Sequence, residues 1–195
     1  MQQPVAKFLF AVFAAAIAVL LLNQSSYLLA QKAALRARLS VAVEKIILPY
    51  HLSRLATEEP DTELAVPIEG LALRYIPKSW GDPRSGGRLH EGIDMFAKRG
   101  EPVFSATYGY VIYAGTNQLG GNVVFVFGAG GVRYYYAHLD SIAEGIVFGK
   151  EVSTSTVLGY VGKTGNAEFT SPHLHFGMYK DGAKNPYDLL VPRTR

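Results

Sequence analysis

Two hydrophobic regimes divide the 195-residue chain. Residues 8–22 (FLFAVFAAAIAVLLL) are apolar without interruption, and no charged side chain occurs between positions 8 and 31. Asn23, Gln24, Ser25 and Ser26 break the run before Tyr27, Leu28, Leu29 and Ala30. A helix needs about 20 apolar residues to cross a bilayer core, and a secretory signal needs about 7–15. This stretch falls between the two. Lys7 gives a positive N-terminal flank, but Lys32, Arg36, Arg38 and Lys45 lie on the far side, so the charge asymmetry is not one-sided. Ala30 follows Leu28 and Leu29, which is not a small-x-small cleavage pattern. We expect residues 1–30 to be an uncleaved signal anchor, a single transmembrane helix in the inner or cytoplasmic membrane. The remainder would then lie on the periplasmic or extracellular side. A cleaved signal peptide, releasing a secreted form, and a buried helix of a soluble domain are the alternatives.

Residues 31–65 read as a helical spacer and linker. Leu35, Leu39, Ala42 and Ile46 recur at helical spacing with Arg36, Arg38, Glu44 and Lys45 on other faces. Pro49 should break or kink this helix. The polar segment 57–63 (TEEPDTE) marks the domain boundary. From residue 66 the period changes to two. Runs rich in Val, Tyr, Phe and Ile lie at 103–106, 110–115, 122–128, 132–139, 156–162 and 173–179, separated by glycine-rich turns such as Gly128-Ala129-Gly130-Gly131. We therefore expect residues 66–195 to be mostly β, a compact antiparallel sheet large enough to bury a core.

Charge narrows the possible functions. There are 19 Lys+Arg against 16 Asp+Glu, a balance of +3. Six basic and five acidic residues fall in 1–65, thirteen and eleven in 66–195, and no segment forms the dense basic stripe that nucleic-acid binding uses. The absence of cysteine excludes a disulfide framework, a thiolate zinc finger and a cysteine nucleophile, so any metal must sit on His, Asp or Glu.

Four of the five histidines fall in three short motifs of the β region; the fifth, His51, stands alone in the spacer as a structural residue. His90-Glu91-Gly92-Ile93-Asp94 has the form H-x-G-x-D. In extended chain its even offsets turn His90 and Asp94 to one side, with Gly92 clearing room between them. His173-Leu174-His175 places two imidazoles on one face of a strand and Leu174 on the other. His138 closes the tyrosine-rich run 133–137. Each motif alone has an ordinary structural explanation. Together they supply three ligands and two uncommitted imidazoles, the inventory of a hydrolytic zinc site with an open position.

These residues resemble the lysostaphin- or LytM-type zinc metallopeptidases of peptidoglycan. The resemblance runs from about Trp80 to Leu189. It includes H-x-G-x-D, Gly100-Glu101-Pro102-Val103, Tyr136-Ala137-His138-Leu139, Gly159-x-x-Gly162-x-Thr164-Gly165, Ser171-Pro172-His173-Leu174-His175-Phe176 and Asn185-Pro186. Ser171, where Gly is usual, and Gly177, where an acidic residue often stands, depart from the family pattern. The resemblance implies a duplicated-hybrid-motif-like peptidase domain with Zn²⁺ on His90, Asp94 and His175. It further implies that His138 and His173 serve as catalytic imidazoles and that peptidoglycan peptides are the substrate. No H-E-x-x-H helix is present in the sequence, so the two histidines would share the acid–base work. The segment 165–172 (GNAEFTSP) is a loop beside the site. Tyr108, Tyr110 and Tyr134–Tyr136 are candidates for the groove wall, half of them core by alternation. The alternative function is a non-catalytic module that binds and activates a separate cell-wall amidase. A closed structural zinc site would leave the additional imidazoles without purpose.

Overall fold

A computed structural model of the chain describes residues 27–35 and 47–193. Two compact units are distinguished, residues 1–47 and 48–195. Residues 27–35 of the first are helical. Among the described residues no helix is long and apolar enough to cross a membrane. The apolar run behind the anchor expectation lies outside the described residues. Residues 47–57 are also helical and include Pro49. The stretch of spacer helix ahead of it, which Pro49 is expected to break or kink, lies outside the described residues.

The second unit is built from short strands: Leu64–Ala65 (β1), Ile93–Phe96 (β2), Pro102–Phe104 (β3), Gly109–Asn117 (β4), Gly121–Phe127 (β5), Arg133–Ile142 (β6), Glu151–Val152 (β7), Val157–Val161 (β8), His173–Tyr179 (β9), Ala183–Lys184 (β10) and Leu190–Val191 (β11). The six β-rich runs in the sequence correspond to β3, β4, β5, β6, β8 and β9. The main sheet follows the order β10-β9-β6-β5-β4-β7, with β2 pairing β9 and β8 pairing both β3 and β6. All these pairings are antiparallel; β1 and β11 form a separate parallel pair.

Alternation sorts each strand into a core face and a second face. Ile93 and Met95 of β2, Tyr134 and Tyr136 of β6, and Leu174 and Phe176 of β9 are fully buried. The Phe176 ring lies parallel to Tyr134 and tilts against Tyr136, at centroid distances of 6.2 and 5.2 Å. Burying an aromatic or branched side chain of this size is worth about 1.5–3 kcal/mol, so this face fixes the register of the three strands. The opposite face carries Asp94, His175 and Ala137, aligned by the pairs Asp94↔His175 and Ala137↔His175.

Residues 48–65, assigned from sequence to the spacer and linker, pack on the sheet unit. Leu55 is buried and His51 stacks on Tyr110 at 5.5 Å. The Asp61 carboxylate accepts hydrogen bonds from Thr107 (2.8 Å) and from the buried Tyr134 hydroxyl (3.0 Å).

β6 changes partner midway. Its first half pairs with β9 as far as Ala137↔His175, and from Leu139 onward it pairs with β8. The break falls at His138, whose φ of +63° is left-handed. The strand expected to end near His138 instead continues to Ile142 after this bend. The fork between β8 and β9 opens the groove in which the histidines meet.

Candidate metal centre

A groove of about 650 Å³ runs over this fork. All five residues named from the motifs line it: His90, Asp94, His138, His173 and His175. Three of them converge. His90 Nε2 lies 2.8 Å from His175 Nδ1, and Asp94 Oδ1 lies 3.1 Å from the former and 3.2 Å from the latter. Two imidazole nitrogens and a carboxylate oxygen facing one another fit a first-row divalent ion, since zinc ligands about 2.0–2.1 Å from a common centre are themselves about 3.3 Å apart in a tetrahedron. The same three residues are the group that could hold a metal ion among the described residues.

Asp94 and His175 reach the centre from paired positions on β2 and β9. His90 lies just before β2, in a segment whose main chain is held by His90 N to Asp82 O and Gly81 N to His90 O, both 2.9 Å. H-x-G-x-D is thus only partly strand, and its two ligands still converge. Gly92 is required here, because the His175 ring and the Phe176 carbonyl occupy the space a side chain would need.

Hydrogen bonds to the backbone orient the rings. His90 Nδ1 donates to Ser79 O at 2.7 Å, leaving the Nε2 lone pair for the centre. His138 Nδ1 donates to Thr164 O at 2.9 Å, and His173 Nδ1 to Ser171 O at 2.8 Å. In each case Nδ1 is taken by the backbone and Nε2 is the ring nitrogen left for the groove. The rings of His138 and His173 are 5.0 Å apart, and those of His138 and His175 5.9 Å.

Burial works against Asp94 ionising, but hydrogen bonds from His175 and His90 outweigh it and hold the carboxyl far below the ordinary range. Burial, reinforced by the neighbouring His175 and His173, pushes His138 down to about 4. His175 is also lowered by burial, against the pull of Asp94. Asp94 is thus held ionised and burial disfavours charge on His175, as ligation by a carboxylate and a neutral imidazole demands.

Of the tyrosines named as wall candidates, Tyr135 lines the groove, Tyr134 and Tyr136 belong to the core, and Tyr108 and Tyr110 lie beside Glu151 of β7. Asn166, Ala167 and Thr170 of the 165–172 loop contribute wall, and Phe169 of that loop is 94% exposed. Two contributors were not evident from the motifs. Ser79 accepts from His90 through its carbonyl and from the Asp94 N–H through its hydroxyl (3.2 Å), and Arg84 Nη2 meets Asp94 Oδ2 at 2.6 Å. The only sequence hint was the turn-rich stretch DPRSGGR immediately ahead of H-x-G-x-D.

The His–Asp–His cluster could hold a metal ion, and comparison with known proteins supplies the class, a peptidase. The model of peptidase family M23 matches residues 88–187, and the chain belongs to that family. An L-Ala–D-Glu endopeptidase from Bacillus subtilis (strain 168) is 40% identical over 118 residues, which are 57% of this chain and 36% of the relative. The DD-carboxypeptidase/endopeptidase Mpg of Neisseria meningitidis serogroup B is 40% identical over 134 residues, 67% of this chain and 28% of the relative. The chain thus spans only about a third of the length of these relatives. Among solved structures, the catalytic domain of lysostaphin from Staphylococcus simulans aligns with a TM-score of 0.51 at 29% identity, covering 57% of this chain and 87% of that one. A zinc containing peptidase from Vibrio cholerae gives a TM-score of 0.51 at 27% identity, covering 62% and 37%.

Proposed function

We propose that this protein is a zinc-dependent peptidase that hydrolyses peptide bonds in bacterial peptidoglycan, acting on cross-links or stem peptides. His90, Asp94 and His175 hold the ion, and His138 and His173 handle protons. The observation that carries the reading is the convergence of His90 Nε2, Asp94 Oδ1 and His175 Nδ1 within 3.2 Å of one another, in a groove shared with two further imidazoles. Zinc, when bound, supplies a Lewis acid that lowers the pKa of water and polarises an amide carbonyl.

The side chains account for the rest of the chemistry. With Nδ1–H committed to Thr164 O, His138 keeps Nε2 as the nitrogen that can take up or release a proton in the groove, and His173, committed to Ser171 O, does the same. One takes the proton of the attacking water; the other donates to the departing amine or stabilises the oxyanion. Burial favours the neutral form of His138, which has a lone pair free to accept a proton. Tyr135 and the 165–172 loop form walls for an extended peptide.

The relatives are named for different bonds, L-Ala–D-Glu in one and DD linkages in others, so the proposal stops at the substrate class. The natural setting for such a polymer is the outer face of a bacterial membrane, consistent with residues 1–30 acting as an anchor. The purified chain should release soluble muropeptides from isolated sacculi, lose that activity to a chelator and regain it with Zn²⁺. Stimulation of a wall amidase without any muropeptide release by the chain alone would instead establish the regulatory reading.

A further inference from the structure

The structure assigns Arg84 as a positioning residue for the metal ligand Asp94, an inference that rests on the metal site proposed above. Asp94 has two carboxylate oxygens with separate duties. Oδ1 faces His90 Nε2 (3.1 Å), His175 Nδ1 (3.2 Å) and, more distantly, His173 Nε2 (3.8 Å). Oδ2 faces away from that cluster and is taken by Arg84 Nη2 at 2.6 Å. The guanidinium holds Oδ2 on its own side, so Oδ1 is the oxygen presented to the imidazoles and to an ion between them. Arg84 therefore selects Oδ1 as a single-oxygen ligand and prevents rotation about the last side-chain bond.

The clamp is itself braced. Arg84 sits in a tight turn closed by its own N–H to Arg88 O (2.9 Å) and by the bridge Pro83↔Leu89. Gly86 and Gly87, at φ of +74° and +71°, make that turn possible. The turn leads directly into His90, and Ser79 at its other end supports both His90 and Asp94. A single hairpin, residues 79–90, thus provides one metal ligand and braces a second. The Asp94 side chain is 12% exposed and that of Arg84 38%, so the pair is partly withdrawn from water but its guanidinium adds little to the core. Outer partners of metal ligands typically contribute about 10–100-fold to metal affinity. Lysine is an incomplete substitute, since it keeps the charge but lacks the planar fork.

The test is zinc affinity of the full chain, measured by competition with a chromogenic chelator, alongside the melting temperature of the metal-free protein. R84M should weaken zinc binding by about 10–100-fold while leaving the metal-free melting temperature at the parent value, and R84K should recover part of the affinity. At saturating zinc, R84M should lower kcat, because the metal ligand is misplaced; Arg84 also lines the groove, so KM does not discriminate. Parental zinc affinity in R84M would overturn the assignment. So would a fall in metal-free melting temperature in both R84M and R84K, which would make Arg84 a structural residue. A parent chain that binds no zinc would instead sink the metal site itself.

Discussion

Gly92 offers the sharpest mutational probe of the site, because replacing its hydrogen with a methyl group aims directly at a proposed metal ligand. A Cβ there would lie 2.6 Å from both Cε1 and Nε2 of His175 and 2.7 Å from the Phe176 carbonyl oxygen. The ring must retreat by about 0.8 Å, from 2.6 Å to the 3.4 Å at which ordinary contact begins. Metal sites tolerate about 0.2 Å of error in ligand position. A shift several times larger should remove His175 from the cluster, and a displacement of about 1 Å at catalytic geometry costs on the order of 10²-fold in rate. Overpacking of this sort also destabilises by about 1–3 kcal/mol, or roughly 2–12 °C in Tm for a domain of this size. Gly92→Ala should therefore remain folded, melt slightly lower, and lose both zinc stoichiometry and peptide hydrolysis. Zinc content by elemental analysis, muropeptide release and a thermal melt cover the three readouts. A variant that binds zinc and cleaves like the parent would refute the argument. One that melts lower yet keeps its zinc would show that the Phe176 backbone, and not the imidazole, absorbs the strain.

Two other predictions address the imidazoles and the core. His138→Ala should retain zinc and lose about 10²–10⁴-fold in rate, the usual worth of an acid–base group; unchanged hydrolysis would remove His138 from the mechanism. Burial pushes the Tyr136 hydroxyl from its ordinary value of 10.0 up to about 12. The native state keeps this proton over a range where the unfolded chain has released it, so stability should hold below pH 10 and fall as pH rises from 10 to 12. The loss should be about 3 kcal/mol from this residue, with the raised Tyr134 acting in the same direction. Denaturant midpoints at pH 9 and 11 test this, and an equal decline in Tyr136→Phe would show that another group is responsible.

Much of the site was legible because its residues obey the two-residue period. Asp94 and Phe96 alternate with Ile93 and Met95, and His173 and His175 with Leu174 and Phe176, so the motifs could be assigned to faces before any strand was paired. Three features were hidden for definable reasons. The left-handed bend at His138 falls on a residue type that only occasionally accepts positive φ, and nothing local announces it. The Arg84–Asp94 pair joins residues ten apart through a turn, outside any helical or strand period. The packing of Asp61 against Tyr134 and Thr107 is tertiary, so a polar, proline-containing stretch read as a boundary while its carboxylate was anchored to the sheet.

The bend at His138 also bears on how such a protein could change over evolutionary time. Holding a non-glycine residue in the left-handed region costs on the order of 1 kcal/mol or more, and here that cost is borne by a side chain whose proposed role is chemical. Glycine would hold this bend without that strain, but it would give up the hydrogen bond to Thr164 O and leave a void where a buried ring now sits. The exchange of partners along β6 depends on the bend and not on the imidazole, so the architecture can outlast the proposed chemistry, a route from hydrolase to inert scaffold.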